Sequence, residues 1–114
     1  MSPRRFELVL WGAQRATAAL LALFVVVHLA TIIYAVRGGL TAAELLGRTR
    51  SSLAWPAFYA LFVVAAAIHA AIGLRTVAAE WLGWRGALAN VVAAAIGGAL
   101  MAAGLVAVRA VAFP

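Results

Sequence analysis

Three long stretches of the chain contain no charged residue, and this pattern limits what the chain can fold into. No Asp, Glu, Lys or Arg occurs at residues 16–36, 51–74 or 86–108, which are 21, 24 and 23 residues long. An α-helix rises about 1.5 Å per residue and needs about 20 apolar residues to cross a hydrocarbon core about 30 Å thick. Each stretch therefore predicts one membrane crossing.

The predicted fold class is an all-α integral membrane protein, a three-helix transmembrane subunit whose helices run up, down and up. We treat residues 1–114 as a single transmembrane anchor domain with spans at about residues 12–36, 53–77 and 87–108. Residues 1–11 are predicted to form a short interfacial lead-in. Small residues at four-residue spacing on the third span predict its close-packing face, at Ala94, Gly98 and Ala102.

The two connectors carry local signals of their own. In the first, Thr41 and Glu44 form a Thr-x-x-Glu capping pattern, which predicts a surface helix of one to two turns with Gly47 as its C-cap. The second, residues 80–86, is predicted to form a tight aromatic turn at the membrane interface. Trp11 and Trp84 are assigned to the aromatic belt typical of such interfaces.

Composition excludes several classes of function. The chain is 68% hydrophobic and only 11% charged, which leaves too few residues for a soluble catalytic domain, a dinucleotide fold or a phosphate-binding loop. It has no cysteine, so this chain supplies no disulfide, thiolate nucleophile or iron–sulfur ligand. We therefore expect a non-catalytic membrane subunit, in contact with lipid, whose chemistry lies in or beside the membrane.

All nine basic residues are arginines near the edges of the spans, which indicates membrane anchoring and topology rather than nucleic-acid binding. Arg4 and Arg5 precede the first span, and basic residues before a first span favour the cytoplasmic side. The predicted location is a bacterial cytoplasmic membrane, with a multi-pass chain whose N-terminus is cytoplasmic.

Two histidines lie inside the predicted spans, where ionisable side chains are costly and usually face a partner, a cavity or a cofactor. On the helical face of His69 lie Gly73, Thr76 and Glu80, and Gly73 leaves room for a flat macrocycle held by the imidazole. Two other interpretations remain open for both histidines. Each imidazole could hydrogen-bond a neighbouring helix, or it could belong to a proton relay.

Residues 69–81 have the form His-x-x-x-Gly-Leu-Arg followed by an acidic and an aromatic residue. This pattern resembles the second-helix signature of the cytochrome b membrane anchors of succinate dehydrogenase and fumarate reductase. The segment from Gln14 to Ala18 is similar to that family's His-Arg-x-[Ser/Thr]-Gly motif in the first helix. Gln14 replaces the motif's usual histidine, and Trp11 stands where the family often has a small hydroxyl residue.

The resemblance implies a chain that binds haem b and quinone, and that passes electrons between a partner's iron–sulfur centres and the quinone pool. It implies that His69 is an axial haem ligand and that Arg15, Glu80 and Trp81 take positions at the quinone pocket. Thr17 and Gly73, which lie in the two motifs, are also predicted to be cofactor-binding. The implied partners are a flavoprotein subunit, an iron–sulfur subunit and a second membrane-anchor subunit. The alternative is a cofactor-free packing or assembly subunit of another complex.

His28 has no counterpart in the single-haem anchors, and a first-helix histidine is characteristic of the di-haem members. It is interpreted either as a second metal ligand or as a structural hydrogen-bonding group. Measured from the span centres, His28 and His69 differ in depth by roughly 12 Å at about 1.5 Å per residue. Two nitrogens on one iron are only about 4 Å apart. Each histidine is therefore expected to share a haem with a ligand from a second chain, giving one or two haems.

Overall fold

A computed structural model of the chain describes residues 1–113 and consists of four helices. They are α1 (Pro3–Arg37), α2 (Ala42–Arg50), α3 (Ala54–Leu82) and α4 (Ala87–Ala112). Helices α1, α3 and α4 are long and apolar enough to cross a membrane, and no strand occurs within the described residues. The predicted all-α, three-helix membrane fold is confirmed.

Helix α1 begins earlier than predicted. The predicted lead-in is part of α1, which starts at Pro3 because the Arg5 N–H donates to Ser2 Oγ over 3.3 Å. A serine cap followed by proline in the first helical turn is a favourable helix start. The first spanning helix therefore carries Arg4, Glu7 and Trp11 on a continuous extension of its N-terminal end.

The connectors follow the predicted signals only in part. Thr41 caps α2 as predicted, since its Oγ1 accepts the Glu44 N–H over 3.2 Å. Gly47 is not the C-cap, because α2 continues to Arg50 and Gly47 lies inside the helix. Helix α3 likewise continues to Leu82, past the predicted start of the aromatic turn. It ends at Gly83, whose φ of 63° is a left-handed conformation that favours glycine.

Helix α3 packs between α1 and α4, and its contact with α4 is very close. A Cβ built on Gly97 would lie 2.7 Å from Ala71 Cβ, and one on Gly104 would lie 2.5 Å from Val63 Cγ1. Real side-chain atoms do not approach so closely, so only glycine fits at these two positions. The buried small residues of α4 are Ala89, Ala93, Gly97 and Ala112.

Within this chain, the face of α4 that packs against α3 lies one residue away from the predicted stripe. Ala94, Gly98 and Ala102 are exposed, and a Cβ on Gly98 would meet nothing within 4 Å. Successive helical residues are 100° apart, so the stripe one residue earlier faces α3 while the predicted stripe faces outward. Alanine and glycine are so frequent in α4 that both stripes have the small-residue spacing.

Helix α1 packs against α3, and part of the contact is between aromatic side chains. The Phe24 ring lies 5.1 Å from the Phe58 ring and 5.9 Å from the Phe62 ring, centroid to centroid. Helix α2 lies against α3 and α4 at the opposite end from residue 1. The molecule is an elongated bundle of 50 × 26 × 25 Å.

Candidate functional site

His69 lies at the interface of α3 with α1, where it meets a buried threonine. Its Nδ1 is 3.2 Å from Oγ1 of Thr17, whose residue is only 7% exposed. The same Oγ1 is 2.8 Å from the carbonyl oxygen of Ala13, one turn earlier on α1. The hydrogen bond links the two motifs that carry the family resemblance, one on each helix.

Gly73, one turn after His69, also faces α1. A Cβ at Gly73 would lie 3.4 Å from Nε2 of Gln14, so the Gln14 amide lies in the space beside this glycine. The other end of that amide is unusual. Gln14 Oε1 is buried and has no hydrogen-bond partner among the described residues. A buried acceptor of this kind is costly and suggests a missing donor.

A cleft of about 630 Å³ opens between α1 and α3 on the N-terminal side of this pair. Arg15 and Glu80, which come from the two helices, both line it, as do Gln14 and Trp11. Trp81 does not line the cleft and is 81% exposed. The predicted convergence is therefore found for Arg15 and Glu80, while Trp81 lies outside their shared cleft in this chain.

Trp11, which was predicted to belong to the aromatic belt, makes a specific contact with Arg15. The Arg15 guanidinium carbon lies 4.0 Å from the centroid of the Trp11 ring, which is a cation–π arrangement. The two residues are one helical turn apart on α1, so the contact could have been predicted from their spacing. It holds the Arg15 side chain along the wall of the cleft.

Arg75 joins all three spanning helices at this end of the molecule. Its Nη2 is 2.6 Å from Glu7 Oε1 on α1, and its Nη1 is 3.4 Å from Glu7 Oε2. Its Nε donates to Asn90 Oδ1 on α4 over 2.7 Å. The sequence indicates Arg75 only as a motif residue and a span-edge arginine, and neither of its partners was predicted. The sequence gives one indication of these contacts. Glu7 and Asn90 are polar, and they lie on the same side of the predicted spans as Arg75.

His28 lies in a different part of the α1–α3 interface. Its ring makes edge contacts with Tyr59 and Phe62, at centroid distances of 5.6 and 5.8 Å. It also lines a cavity of about 550 Å³ that reaches α2. Its Nδ1 is buried and has no hydrogen-bond partner among residues 1–113.

The two histidines are well separated in depth. Thr17, which contacts His69, and His28 are eleven residues apart on α1, a rise of about 16 Å. This is about 4 Å more than the roughly 12 Å expected from the sequence, and the two side chains therefore belong to different sites. Within the described residues, no three His, Cys, Asp or Glu side chains form a metal-binding group.

A family model for the succinate dehydrogenase/fumarate reductase transmembrane subunit matches residues 2–111. The chain belongs to this family. Comparisons with curated proteins and with solved structures find no match. As a succinate dehydrogenase/fumarate reductase transmembrane subunit, the chain associates with the other subunits of such a complex.

The matched range includes both motifs and, except for Ala112, all three spanning helices of this transmembrane subunit. The structure brings His69, Thr17, Gly73 and Gln14 together in one layer of the α1–α3 interface. Arg15 and Glu80 lie in the cleft next to that layer. His28 lies in a separate layer with the aromatic side chains of α3.

Proposed function

We propose that this chain is the cytochrome b membrane-anchor subunit of a succinate:quinone oxidoreductase or fumarate reductase. It binds haem b and quinone, and it passes electrons between the iron–sulfur subunit and the quinone pool. The observation that carries the proposal is the imidazole of His69. Its Nδ1 is bonded to Thr17 within the chain, which leaves Nε2 for a ligand.

Each histidine of this chain would supply one ligand to a haem. His28 and His69 are too far apart in depth to hold one haem between them, so each would hold a haem of its own. A second membrane-anchor subunit is the proposed source of the other protein ligand of each haem. His28 is proposed to hold a second haem, because it lines a cavity of about 550 Å³ between α1, α2 and α3. When bound, haem supplies a one-electron carrier.

The cleft suits the head group of a quinone. Its volume of about 630 Å³ lies within the range of about 300–1,000 Å³ typical of small-molecule sites. Quinone oxygens only accept hydrogen bonds, whereas quinol hydroxyls can also donate. Arg15 can donate, Glu80 can accept when ionised, and the Gln14 amide can do both. Trp81 follows Glu80 on α3, and we include it in the pocket of the assembled complex because its ring and N–H suit a quinone head group.

The remaining parts of the proposal concern partners and location. The other proposed subunits are a flavoprotein and an iron–sulfur protein, and the proposed membrane is the bacterial cytoplasmic membrane. Five arginines lie near the span ends on the N-terminal side: Arg4, Arg5, Arg15, Arg75 and Arg85. The other side has four arginines, and because Arg4 and Arg5 lie at the start of α1, the N-terminus and the cleft are proposed to face the cytoplasm.

Two variants of the purified complex test this function. His69→Ala is expected to abolish or strongly shift the reduced-minus-oxidised spectrum of low-spin b-type haem, because the imidazole is removed.

Arg15→Ala is expected to impair quinone reduction while leaving haem content unchanged. Electron transfer from the soluble subunits to an artificial acceptor serves as the control and is expected to stay intact in both variants.

An unchanged haem spectrum in His69→Ala contradicts the assignment of this ligand. Equal loss of haem, quinone reduction and artificial-acceptor activity in Arg15→Ala indicates an assembly defect and contradicts a quinone role for Arg15. A wild-type complex with no b-type haem at all favours the cofactor-free packing subunit.

A further inference from the structure

The Thr17 hydroxyl has one proton and three polar atoms within hydrogen-bonding distance. The carbonyl oxygens of Ala13 and Gln14 lie 2.8 and 3.1 Å from Oγ1, and Nδ1 of His69 lies 3.2 Å away. Carbonyl oxygens can only accept a hydrogen bond, and Ala13 makes the shortest of the three contacts, so we assign the Thr17 proton to the Ala13 carbonyl. The Thr17 oxygen is then an acceptor for His69.

This arrangement specifies which nitrogen of His69 carries the proton. A neutral imidazole has one N–H, and the nitrogen that faces an acceptor is the protonated one. On this assignment His69 donates Nδ1–H to Thr17 Oγ1, and the lone pair lies on Nε2. Thr17 is only 7% exposed, so little water competes for this bond.

We propose that Thr17 is a positioning residue that holds His69 in the Nδ1–H tautomer and thereby sets the reduction potential of the haem that His69 binds. The tautomer rests on this chain alone, whereas the effect on the potential rests on the proposed function. A hydrogen bond from Nδ1–H raises the basicity of a ligating imidazole, which stabilises ferric over ferrous iron and lowers the potential.

His28 provides a comparison within the same chain. Its Nδ1 is also buried, yet it has no hydrogen-bond partner among the described residues, and its nearest rings are aromatic. The two imidazoles of this chain thus differ, because a hydroxyl lies within hydrogen-bonding distance of Nδ1 in His69 and none does so in His28. An effect that depends on Thr17 should appear at His69 and leave His28 unchanged.

The tautomer can be measured without haem, by ¹⁵N NMR of the full chain labelled at histidine and held in lipid bilayers. At a pH where both imidazoles are neutral, the signal that disappears in His69→Gln is expected to show a protonated Nδ1. Thr17→Val is expected to move that signal towards the Nε2–H form, which free histidine prefers, and Thr17→Ser is expected to restore it. An Nε2–H form of His69 in the wild-type chain overturns the proposal.

The potential is measured by redox titration of the haem in the purified complex. At the wild-type midpoint, Thr17→Val is expected to raise the ratio of ferrous to ferric haem about three- to tenfold, the effect of one hydrogen bond. Thr17→Ser is expected to titrate like wild type, and Thr17→Ala can replace Thr17→Val if the valine variant does not assemble. A wild-type midpoint in a haem-loaded variant without the hydroxyl overturns the effect on potential. Haem retained in His69→Ala would instead defeat the proposed function and leave the NMR result unaffected.

Discussion

At the scale of single residues, the two intramembrane histidines have different surroundings although they have the same chemistry. His69 faces a hydroxyl of α1, whereas His28 faces the edges of Tyr59 and Phe62. A structural histidine on a spanning helix would be expected to bond a hydroxyl or carbonyl of a neighbouring helix. The buried Nδ1 of His28 has no such partner within residues 1–113, so the structure shows no such bond at this nitrogen.

The ligand role of His28 can be measured as haem per flavin in the purified complex. Two haems are expected in wild type and one in His28→Gln, because glutamine can keep a hydrogen bond but is not an axial haem ligand of this kind. The flavin content controls for assembly of the soluble subunits. One haem per flavin in both proteins would show that His28 has no ligand role.

Some of the site residues could be predicted from the sequence and others could not. Helical phase alone places Gly73 and Glu80 on the face of His69, and antiparallel neighbours bring Arg15 to the same end as Glu80. The pair formed by Arg75 and Glu7 joins residues 68 positions apart. Such a pairing depends on the rotation and vertical offset of two helices, which periodicity within one helix does not determine.

At the scale of helices, charge-free stretches predicted the number of spans but not their ends. The backbone hydrogen bonds of α1, α3 and α4 continue beyond the apolar segments until a local signal stops them. Ser2 at the start of α1 and Gly83 at the end of α3 are such signals. Ser2 and Gly83 can both be identified in the sequence, but the charge-free stretches on which the predicted spans rest do not include such cap signals.

The close contact of α3 with α4 predicts different outcomes for three glycines of α4. Gly97→Ala and Gly104→Ala are each expected to lower stability by about 1–3 kcal/mol, because the new Cβ would overlap Ala71 or Val63. Gly98→Ala is the matched control. Its Cβ would meet nothing within 4 Å, so its stability is expected to be unchanged or slightly higher.

The measurement is unfolding of the purified chain in one detergent, with all three variants and wild type compared at the same detergent concentration. Loss of stability in Gly98→Ala with none in Gly97→Ala would support the stripe of Ala94, Gly98 and Ala102 as the packing face. Equal losses in all three variants would contradict the assigned packing face, because helix propensity alone favours alanine over glycine at each position.

At the scale of the whole molecule, polar links between spanning helices gather at the N-terminal end. Arg75 bonds Glu7 and Asn90 there, and the cleft with Arg15 and Glu80 opens at the same end. The other end is covered by α2, which packs on α3 and α4. The two ends of the bundle therefore present different chemistry to the two sides of the membrane.

The absence of cysteine makes the orientation of the chain directly measurable, since one introduced thiol is the only reactive one in it. Ser2→Cys is expected to react with a membrane-impermeant thiol reagent only from the cytoplasmic side. Ser51→Cys, at the end of α2, is expected to react only from the opposite side. The reverse labelling pattern would mean that the arginines near the first span do not set the orientation.

The exposed surface of the chain is large for its mass. It amounts to 7821 Å² for 11.8 kDa, whereas a soluble monomer of this mass exposes about 5,900 Å². The difference of about 1,900 Å² exceeds the roughly 800 Å² that one partner contributes to a standard protein interface. Much of the surface that a soluble protein would cover by folding is thus left for lipid and neighbouring subunits. The free energy of unfolding of this chain is therefore a joint property of the protein and the amphiphile that surrounds it, and it should change with the length of the amphiphile's hydrocarbon tail.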